Sequence, residues 1–143
     1  MIYQKKPKDF SPKFEAAGNF VQCNGEIIVL HRHNHKPQGD TWGIPSGKIH
    51  EGESPLDTTY RETMEETGLV IPRKEIQFFL TVYVTFPDYD FVYHIFHALL
   101  IKKAKIIIRE SEHKDAQWIS PKDALTLPLI EDLDSCIKLF FGI

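Results

Sequence analysis

The segment from Ser54 to Gly68 constrains the fold most strongly, because it carries signals for both the start and the end of a helix. Ser54 is a typical N-cap residue, Pro55 suits the first helical position, and Asp57 completes a capping box. Gly68 is the residue type that most often follows the last helical turn. Together these signals predict one helix over Pro55–Thr67.

Two β-hairpins are predicted, one on each side of this helix. Ala16–Cys23 and Glu26–Arg32 flank Asn24-Gly25, a dipeptide that strongly favours a tight hairpin turn. After the helix, Ile76–Val84 and Phe91–Ile101 are rich in aromatic and β-branched residues and are separated by polar turn residues.

The remaining segments are interpreted from composition and spacing. The residues up to Phe14 mix lysine with proline and predict a loose lead-in, and His33–Thr41 predicts a surface loop. Trp42–Ile49 predicts a short strand interrupted by Pro45-Ser46-Gly47. Apolar residues at helical spacing after Pro128 predict an amphipathic terminal helix. Two further short strands are predicted at Ile106–Ile108 and Ala116–Ile119.

Composition limits the classes of protein that fit. A chain of 143 residues with 42% hydrophobic and 26% charged residues predicts one packed domain over residues 1–143. The net charge of −3 gives no broad basic surface, so duplex nucleic acid is not an expected partner. No apolar run suits a membrane span or a signal peptide, which predicts a cytoplasmic protein. Cys23 and Cys136 lie far apart and are expected to be buried free thiols.

The predicted helix carries a cluster of acids, because Glu62, Glu65 and Glu66 share one side of its helical wheel. Like charges at these spacings cost roughly 0.2–0.5 kcal/mol per pair, and the C-terminal end of a helix disfavours acids as well. A bound cation would relieve the repulsion, and clustered carboxylates suit Mg²⁺. The other side of the wheel is expected to pack on the core and contains Leu56, Tyr60, Thr63, Met64 and Thr67.

The spacing around these acids is more specific than the cluster itself. From Gly47 to Leu69 the chain follows Gly-x5-Glu-x7-Arg-Glu-x-x-Glu-Glu-x-Gly and then an aliphatic residue. This segment resembles the Nudix box, and Trp42-Gly43-Ile44-Pro45 before it and Trp118-Ile119 after it also resemble the family. Two residues depart from the usual pattern. Thr63 stands where an aliphatic residue is usual and should affect stability, and Ser46 stands where glycine is common and should affect the loop.

The resemblance implies an α/β/α sandwich with a mixed β-sheet and a hydrolase that depends on Mg²⁺, with Mn²⁺ as a substitute. It implies that Arg61 holds the glutamates in place and that Glu53 approaches them from the loop. The metal ligands implied by the resemblance are Glu62, Glu65 and Glu66, together with the backbone carbonyl of Ser46.

The base that accepts a proton from the attacking water is left open between Glu53 and Glu112. Glu112 lies in the polar loop before Trp118, where Nudix enzymes often supply a further acid, and Glu110 is its rival. Arg32 and Lys48 are the candidates for binding substrate phosphates. The catalytic candidates are therefore Glu53, Arg61, Glu62, Glu65 and Glu112.

Two weaker features have competing interpretations. His31, His33 and His35 alternate and could form part of a zinc site, but a positively charged loop facing substrate phosphates is the simpler interpretation. Phe86 and Tyr89 could stack on a nucleobase, although packing within the second hairpin is favoured.

The sequence thus predicts an Mg²⁺-dependent pyrophosphohydrolase that cleaves a phosphoanhydride bond in a nucleoside diphosphate linked to another group. Nucleoside triphosphates, nucleotide sugars and ADP-ribose all belong to this class. The alternative is a Nudix-fold domain that senses a nucleotide without cleaving it. Hydrolysis of capped or 5′-triphosphorylated RNA is a minor option, because it would need a basic track.

Overall fold

One mixed β-sheet organises the chain in the computed structural model, which describes residues 1–143. A short 3₁₀ turn covers Arg73–Glu75. The strands are β1 Ile2–Tyr3, β2 Pro12–Cys23, β3 Glu26–Arg32, β4 Trp42–Gly43, β5 Ser46–Lys48, β6 Ile76–Thr85, β7 Asp90–Leu99 and β8 His113–Ile119, and the helices are α1 Pro55–Thr67, α2 Pro121–Ala124 and α3 Leu133–Phe141.

The strands follow the order β1-β6-β7-β2-β3-β4, with β5 also paired to β2 and β8 to β3. β2 and β7 run parallel, whereas the other pairs are antiparallel. Both predicted hairpins are confirmed as β2–β3 and β6–β7. In the first turn, Asn24 and Gly25 have φ values of 51° and 77°, the positive values that a two-residue hairpin of this kind requires.

Two apolar clusters lie on opposite faces of this sheet. Ile27 of β3 belongs to one cluster and its neighbour Ile28 to the other, as expected for adjacent residues of a strand. α3 joins the first cluster through Ile137, and α1 packs against the second through Leu56 and Tyr60. Helices therefore cover both faces, and the expected α/β/α sandwich is confirmed.

The predicted bounds of α1 are confirmed together with their causes. The Ser54 hydroxyl accepts a hydrogen bond from the Asp57 amide at 3.0 Å, and the Asp57 carboxylate accepts one from the Ser54 amide at 3.1 Å. Gly68 adopts φ 76° and ends the helix, a backbone conformation that glycine accepts without strain.

The predicted orientation of α1 is wrong in one respect. Met64, expected in the core, is 38% exposed, whereas Glu66, expected on the outer side, is only 6% exposed. The reason is a set of polar contacts between α1 and the sheet, which the helical wheel cannot detect. The Thr63 hydroxyl accepts a hydrogen bond from the side-chain amide of Asn19 in β2 at 3.1 Å. The Glu66 carboxylate accepts one from the backbone amide of Ser46 in β5 at 2.8 Å.

Three further segments differ from the prediction. The lead-in contributes β1, which pairs with β6, and β2 already begins at Pro12. Ile106–Ile108 forms no strand, because its backbone bonds instead to the end of α1, where the Ile107 amide donates to the Thr67 carbonyl at 2.8 Å. The terminal helix starts only at Leu133. The segment before it instead pairs with β4, through a parallel β-bridge between Leu129 and Trp42.

The fold also bears on the expectations about the two cysteines and about membrane-spanning segments. Cys23 and Cys136 are both buried and free, which confirms the interpretation of the two cysteines. None of the helices has the length and apolar character that crossing a bilayer demands.

The buried contact between Asn19 and Thr63 provides a test of this packing. Asn19 Oδ1 has no hydrogen-bond partner, so Thr63→Val would leave the whole buried amide unpaired. We expect a loss of about 1–3 kcal/mol in the free energy of unfolding, measured with urea. Adding Asn19→Leu should recover part of that loss, and strictly additive effects of the two changes would contradict a direct coupling.

Candidate active site

The box begins on β5, which pairs antiparallel with β2 and lies beside α1. Gly47 lies opposite Ala17 in this ladder. A Cβ atom added to Gly47 would lie 2.4 Å from Cδ of Glu62 and 2.5 Å from its Oε1. Glycine is therefore needed at this position so that the Glu62 carboxylate can lie against the strand.

Arg61 joins the acids of the box. Its Nε donates to Glu53 Oε2 at 2.7 Å and its Nη2 to Glu53 Oε1 at 3.0 Å. Its Nη1 donates to Glu62 Oε1 at 2.6 Å and to Glu65 Oε2 at 3.2 Å. Nη2 also reaches the carbonyl of Lys48 at 3.3 Å. One guanidinium thus connects the loop, β5 and the helix.

Glu53 is the most firmly held of these acids. Besides Arg61, its Oε1 accepts hydrogen bonds from the His50 amide and the Thr58 hydroxyl, each at 2.9 Å. The hydrogen bond from Arg61 is the main reason why the pKa of Glu53 is lowered to about 2. Glu53 is therefore a fixed carboxylate that resists protonation.

Glu66 is in the opposite electrostatic situation. Burial raises its pKa well above the ordinary value, and the nearby charge of Glu62 raises it further, while the Ser46 amide opposes the shift only in part. Burial also raises the pKa of Glu62, although Arg61 acts in the other direction. Two partly uncompensated carboxylates next to each other are unfavourable in a low-dielectric environment unless a cation joins them.

The donor set fits a hard divalent cation, because it consists of carboxylate oxygens and the adjacent backbone of Ser46. The side chains do not yet converge on one point: no three acidic, histidine or cysteine side chains form a ready ligand group. Instead, Glu62 and Glu65 both turn toward Arg61. Arg61 contacts one oxygen of each of these carboxylates, Oε1 of Glu62 and Oε2 of Glu65.

A cavity of about 240 Å³ adjoins Glu66. Arg32, Ser46 and His113 line it near that carboxylate. Arg32 is held by a hydrogen bond from its Nε to the Pro37 carbonyl at 3.0 Å, and its charge acts on Glu66. The cavity also has an aromatic part lined by Phe14, Phe86, Tyr89, Phe91 and Tyr93.

The other two candidates lie at the edge of this arrangement. Lys48 lines the cavity, but its Nζ lies 4.5 Å from the centre of the Phe14 ring. Glu112 pairs with Lys36 at 3.6 Å, and its charge contributes to the raised pKa values of Glu62 and Glu66.

His113 is a residue that sequence reasoning missed. It is 3% exposed, its Nε2 lies 3.9 Å from Glu66 Oε1, and its Nδ1 has no hydrogen-bond partner. Burial, and then the charge of Arg32, lower the pKa of His113 to about 4, so the ring is neutral near pH 7. The only sequence signal was its position directly after Glu112.

The alternating histidines do not share a ligand point. His31 stacks on Trp42, with ring centroids 4.3 Å apart, and its Nε2 contacts Asp40 at 2.8 Å. His33 bonds to the Glu110 carbonyl at 2.5 Å, and His35 stacks beside His33. The three imidazoles therefore form no common ligand group.

A mixed sheet thus lies between helices and carries an acidic helix beside a cavity lined by Arg32 and Glu66. The family model of the NUDIX domain matches residues 12–140, and the chain belongs to the Nudix family.

Known proteins agree with this assignment. Nudix hydrolase 2 of Arabidopsis thaliana is 25% identical over 90% of this chain and 46% of its own length. The MutT protein from Methanosarcina mazei Go1 is 20% identical, with a TM-score of 0.78 over 92% of this chain and 94% of that chain, and shows the fold. The NUDIX domain of Shewanella oneidensis NrtR, solved with ADP ribose, is 27% identical, with a TM-score of 0.76 over 94% and 90%. The chain spans about half the length of the first curated relatives it matches.

Gly47 provides a test of the acid arrangement. In Gly47→Ala the nearest atoms to the new methyl group would be Cδ, Oε1 and Cγ of the Glu62 side chain, so we expect this side chain to move while the fold persists. We expect Mn²⁺ binding, measured by calorimetry, to weaken by about 10- to 100-fold. Gly43→Ala is the matched control, because its added Cβ would lie at an ordinary 3.7 Å from Ile130. Equal Mn²⁺ affinity in wild type and Gly47→Ala would exclude Glu62 as a ligand.

Proposed function

We propose that this chain is an Mg²⁺-dependent pyrophosphohydrolase that cleaves a phosphoanhydride bond in a nucleoside diphosphate linked to another group. The observation that carries the proposal is the buried carboxylate of Glu66. It lies near the charge of Glu62, has no ion pair with a lysine or arginine side chain, and adjoins a cavity lined by Arg32. Such a site has anionic ligands for a metal and a cationic residue for a phosphate. This combination suits an anhydride substrate.

The chemistry supplied by a bound divalent ion is neutralisation of the diphosphate charge and activation of a water molecule. Glu62, Glu65 and Glu66 would hold the ion, together with the backbone carbonyl of Ser46. Arg32 would bind and orient the phosphates, and Lys48 would help once it leaves the Phe14 ring. Arg61 would keep the glutamates close to one another before and after turnover.

The general base is assigned to Glu112 in this proposal. Glu53 has both carboxylate oxygens occupied, and Arg61 holds its pKa near 2, so it would accept a proton poorly at neutral pH. Glu112 has a single weak ion pair with Lys36 and acts electrostatically on Glu62 and Glu66. Glu53 is then a positioning residue that fixes Arg61.

The substrate class is proposed from the cavity and from one relative. The Shewanella NrtR domain binds ADP ribose, a nucleoside diphosphate linked to a sugar. A cavity with both aromatic residues and a cation suits a ligand of this composition. A domain that senses such a nucleotide without cleaving it remains the competing function, and turnover distinguishes the two.

We expect purified protein with Mg²⁺ to release a nucleoside monophosphate from at least one member of a panel of nucleoside triphosphates, nucleotide sugars and ADP-ribose.

Glu66→Gln should reduce kcat several hundredfold, because it removes a metal-ligand charge. The metal-free variant should be at least as stable as wild type, because an uncompensated buried charge disfavours folding. Glu51→Gln, in the exposed loop, is the control. Tight binding of a panel member without any turnover would favour the sensor.

The base assignment is tested by a pair of acids two positions apart. Glu112→Gln should lower kcat by roughly 100- to 10,000-fold with a modest change in KM, the range typical of a general base. Glu110→Gln should have little effect, because its side chain is exposed and makes no ion pair with the site. A kcat for Glu112→Gln within twofold of wild type, at saturating substrate and metal, would return the role to Glu53.

A further inference from the structure

His113 is a buried polar side chain of the site to which the hydrolysis proposed above assigns no role. Its side chain is 4% exposed and lines the same cavity as Ser46 and Glu66. Its Nδ1 has no hydrogen-bond partner, and its Nε2 faces Glu66 Oε1 at 3.9 Å, a separation too long for a hydrogen bond. Buried polar groups of native proteins nearly always have partners, so an unpartnered imidazole in this cavity indicates a role in ligand binding.

The backbone that carries His113 is bonded both to the sheet and to the acidic helix. His113 begins β8, where it pairs with Arg32 of β3, and its amide donates to the Arg109 carbonyl at 3.0 Å. The loop before it is attached to the end of α1, because the Ile107 amide donates to the Thr67 carbonyl at 2.8 Å. These bonds hold the imidazole at a defined place beside α1.

Glu66 presents one oxygen to this imidazole. The Ser46 amide donates to Oε2 of Glu66, whereas Oε1 accepts no hydrogen bond from the chain and faces Nε2 of His113. A carboxylate oxygen and the unprotonated nitrogen of a neutral imidazole both offer lone pairs, and neither can donate to the other.

A divalent ion can join these two atoms. Bonds from a metal ion to imidazole nitrogen and to carboxylate oxygen are each about 2.0–2.2 Å long, so two of them span up to roughly 4.2 Å. The separation of 3.9 Å between Nε2 of His113 and Oε1 of Glu66 lies within this reach. The added nitrogen would matter for the choice of metal, because imidazole suits Ni²⁺ and other transition metals whereas Mg²⁺ prefers oxygen ligands.

We infer that Nε2 of His113 is a metal ligand beside Glu66, and that this nitrogen favours a transition-metal ion over Mg²⁺ at the site. Mg²⁺ is then held by oxygens alone, whereas Mn²⁺ or Ni²⁺ gains the imidazole as a further ligand. The ring carries its proton on Nδ1, which has no acceptor in the chain, and this unpaired group limits the gain in affinity. The inference rests on the proposed function, because it assumes that the ion binds at Glu66.

Pulsed EPR of the Mn²⁺ complex tests the bond itself without any turnover. A directly bound ¹⁴N nucleus modulates the electron-spin echo, whereas oxygen ligands produce no such signal. We expect ¹⁴N modulation in the wild-type protein and none in His113→Gln. His35→Gln is the matched control and should retain the signal, because it removes an exposed imidazole from the loop. Bound Mn²⁺ without ¹⁴N modulation in the wild type, or a signal that persists in His113→Gln, would overturn the inference.

Calorimetry with Ni²⁺ and Mg²⁺ tests the preference for metals. The side chain in His113→Gln offers an amide oxygen instead of a nitrogen. Its affinity for Ni²⁺ should therefore fall by about 10- to 100-fold, while its affinity for Mg²⁺ should stay within about threefold of wild type. An equal loss for both ions would make His113 a positioning residue for Glu66 and would overturn its assignment as a ligand. Melting temperatures establish that the variant is folded, and if it is not, the wild-type EPR signal decides.

Glu66→Gln separates failure of this inference from failure of the proposed function. We expect it to weaken the binding of both Ni²⁺ and Mg²⁺, because it removes the charge that His113 only assists. Binding that depends on Glu66 but not on His113 would overturn the inference and leave the proposed metal site in place. Wild-type protein that binds neither ion would overturn both.

Discussion

The interaction between Arg61 and the acids around it is the constraint on which the rest of the site depends. α1 carries Glu62, Glu65 and Glu66 near its C-terminal end, where neither the helix dipole nor the neighbouring charges favour them. Arg61 reduces this repulsion from within the helix and at the same time fixes Glu53 of the preceding loop. The hydrogen bonds of this one guanidinium therefore connect the loop, the helix and β5.

Arg61 makes no hydrogen bond to Glu66, which is buried against the Ser46 backbone of β5. The polar face of α1 that turns toward the sheet, including Thr63 bonded to Asn19, is consistent with this burial. A helix with an aliphatic inner face would pack more favourably, but it would not bring a carboxylate into the cavity. The departure of the chain from ideal packing thus coincides with the site, as is common where function opposes stability.

Local rules predicted most of the fold. The bounds of α1 follow from Ser54 and Gly68, and the first hairpin follows from Asn24-Gly25, because each signal acts within a few residues. The rotation of α1, the non-strand conformation of Ile106–Ile108 and the burial of His113 depend on partners distant in sequence. The Nudix resemblance rests on one continuous segment, so the sequence alone was enough to propose the acids of α1 as ligands. The cavity beside them is lined by segments distant in sequence and could not be predicted.

The acidic and the aromatic parts of the cavity come from different segments of the chain, so a substitution in one part leaves the residues of the other part in place. The acidic part comes from the continuous box, where one helix and one short strand fix the spacing of the carboxylates. The aromatic part combines β2, the β6–β7 turn and β7, which meet only in the folded protein. On the function proposed above, the reaction would depend on the carboxylates of the box, while the choice of substrate would depend on the segments that line the rest of the cavity.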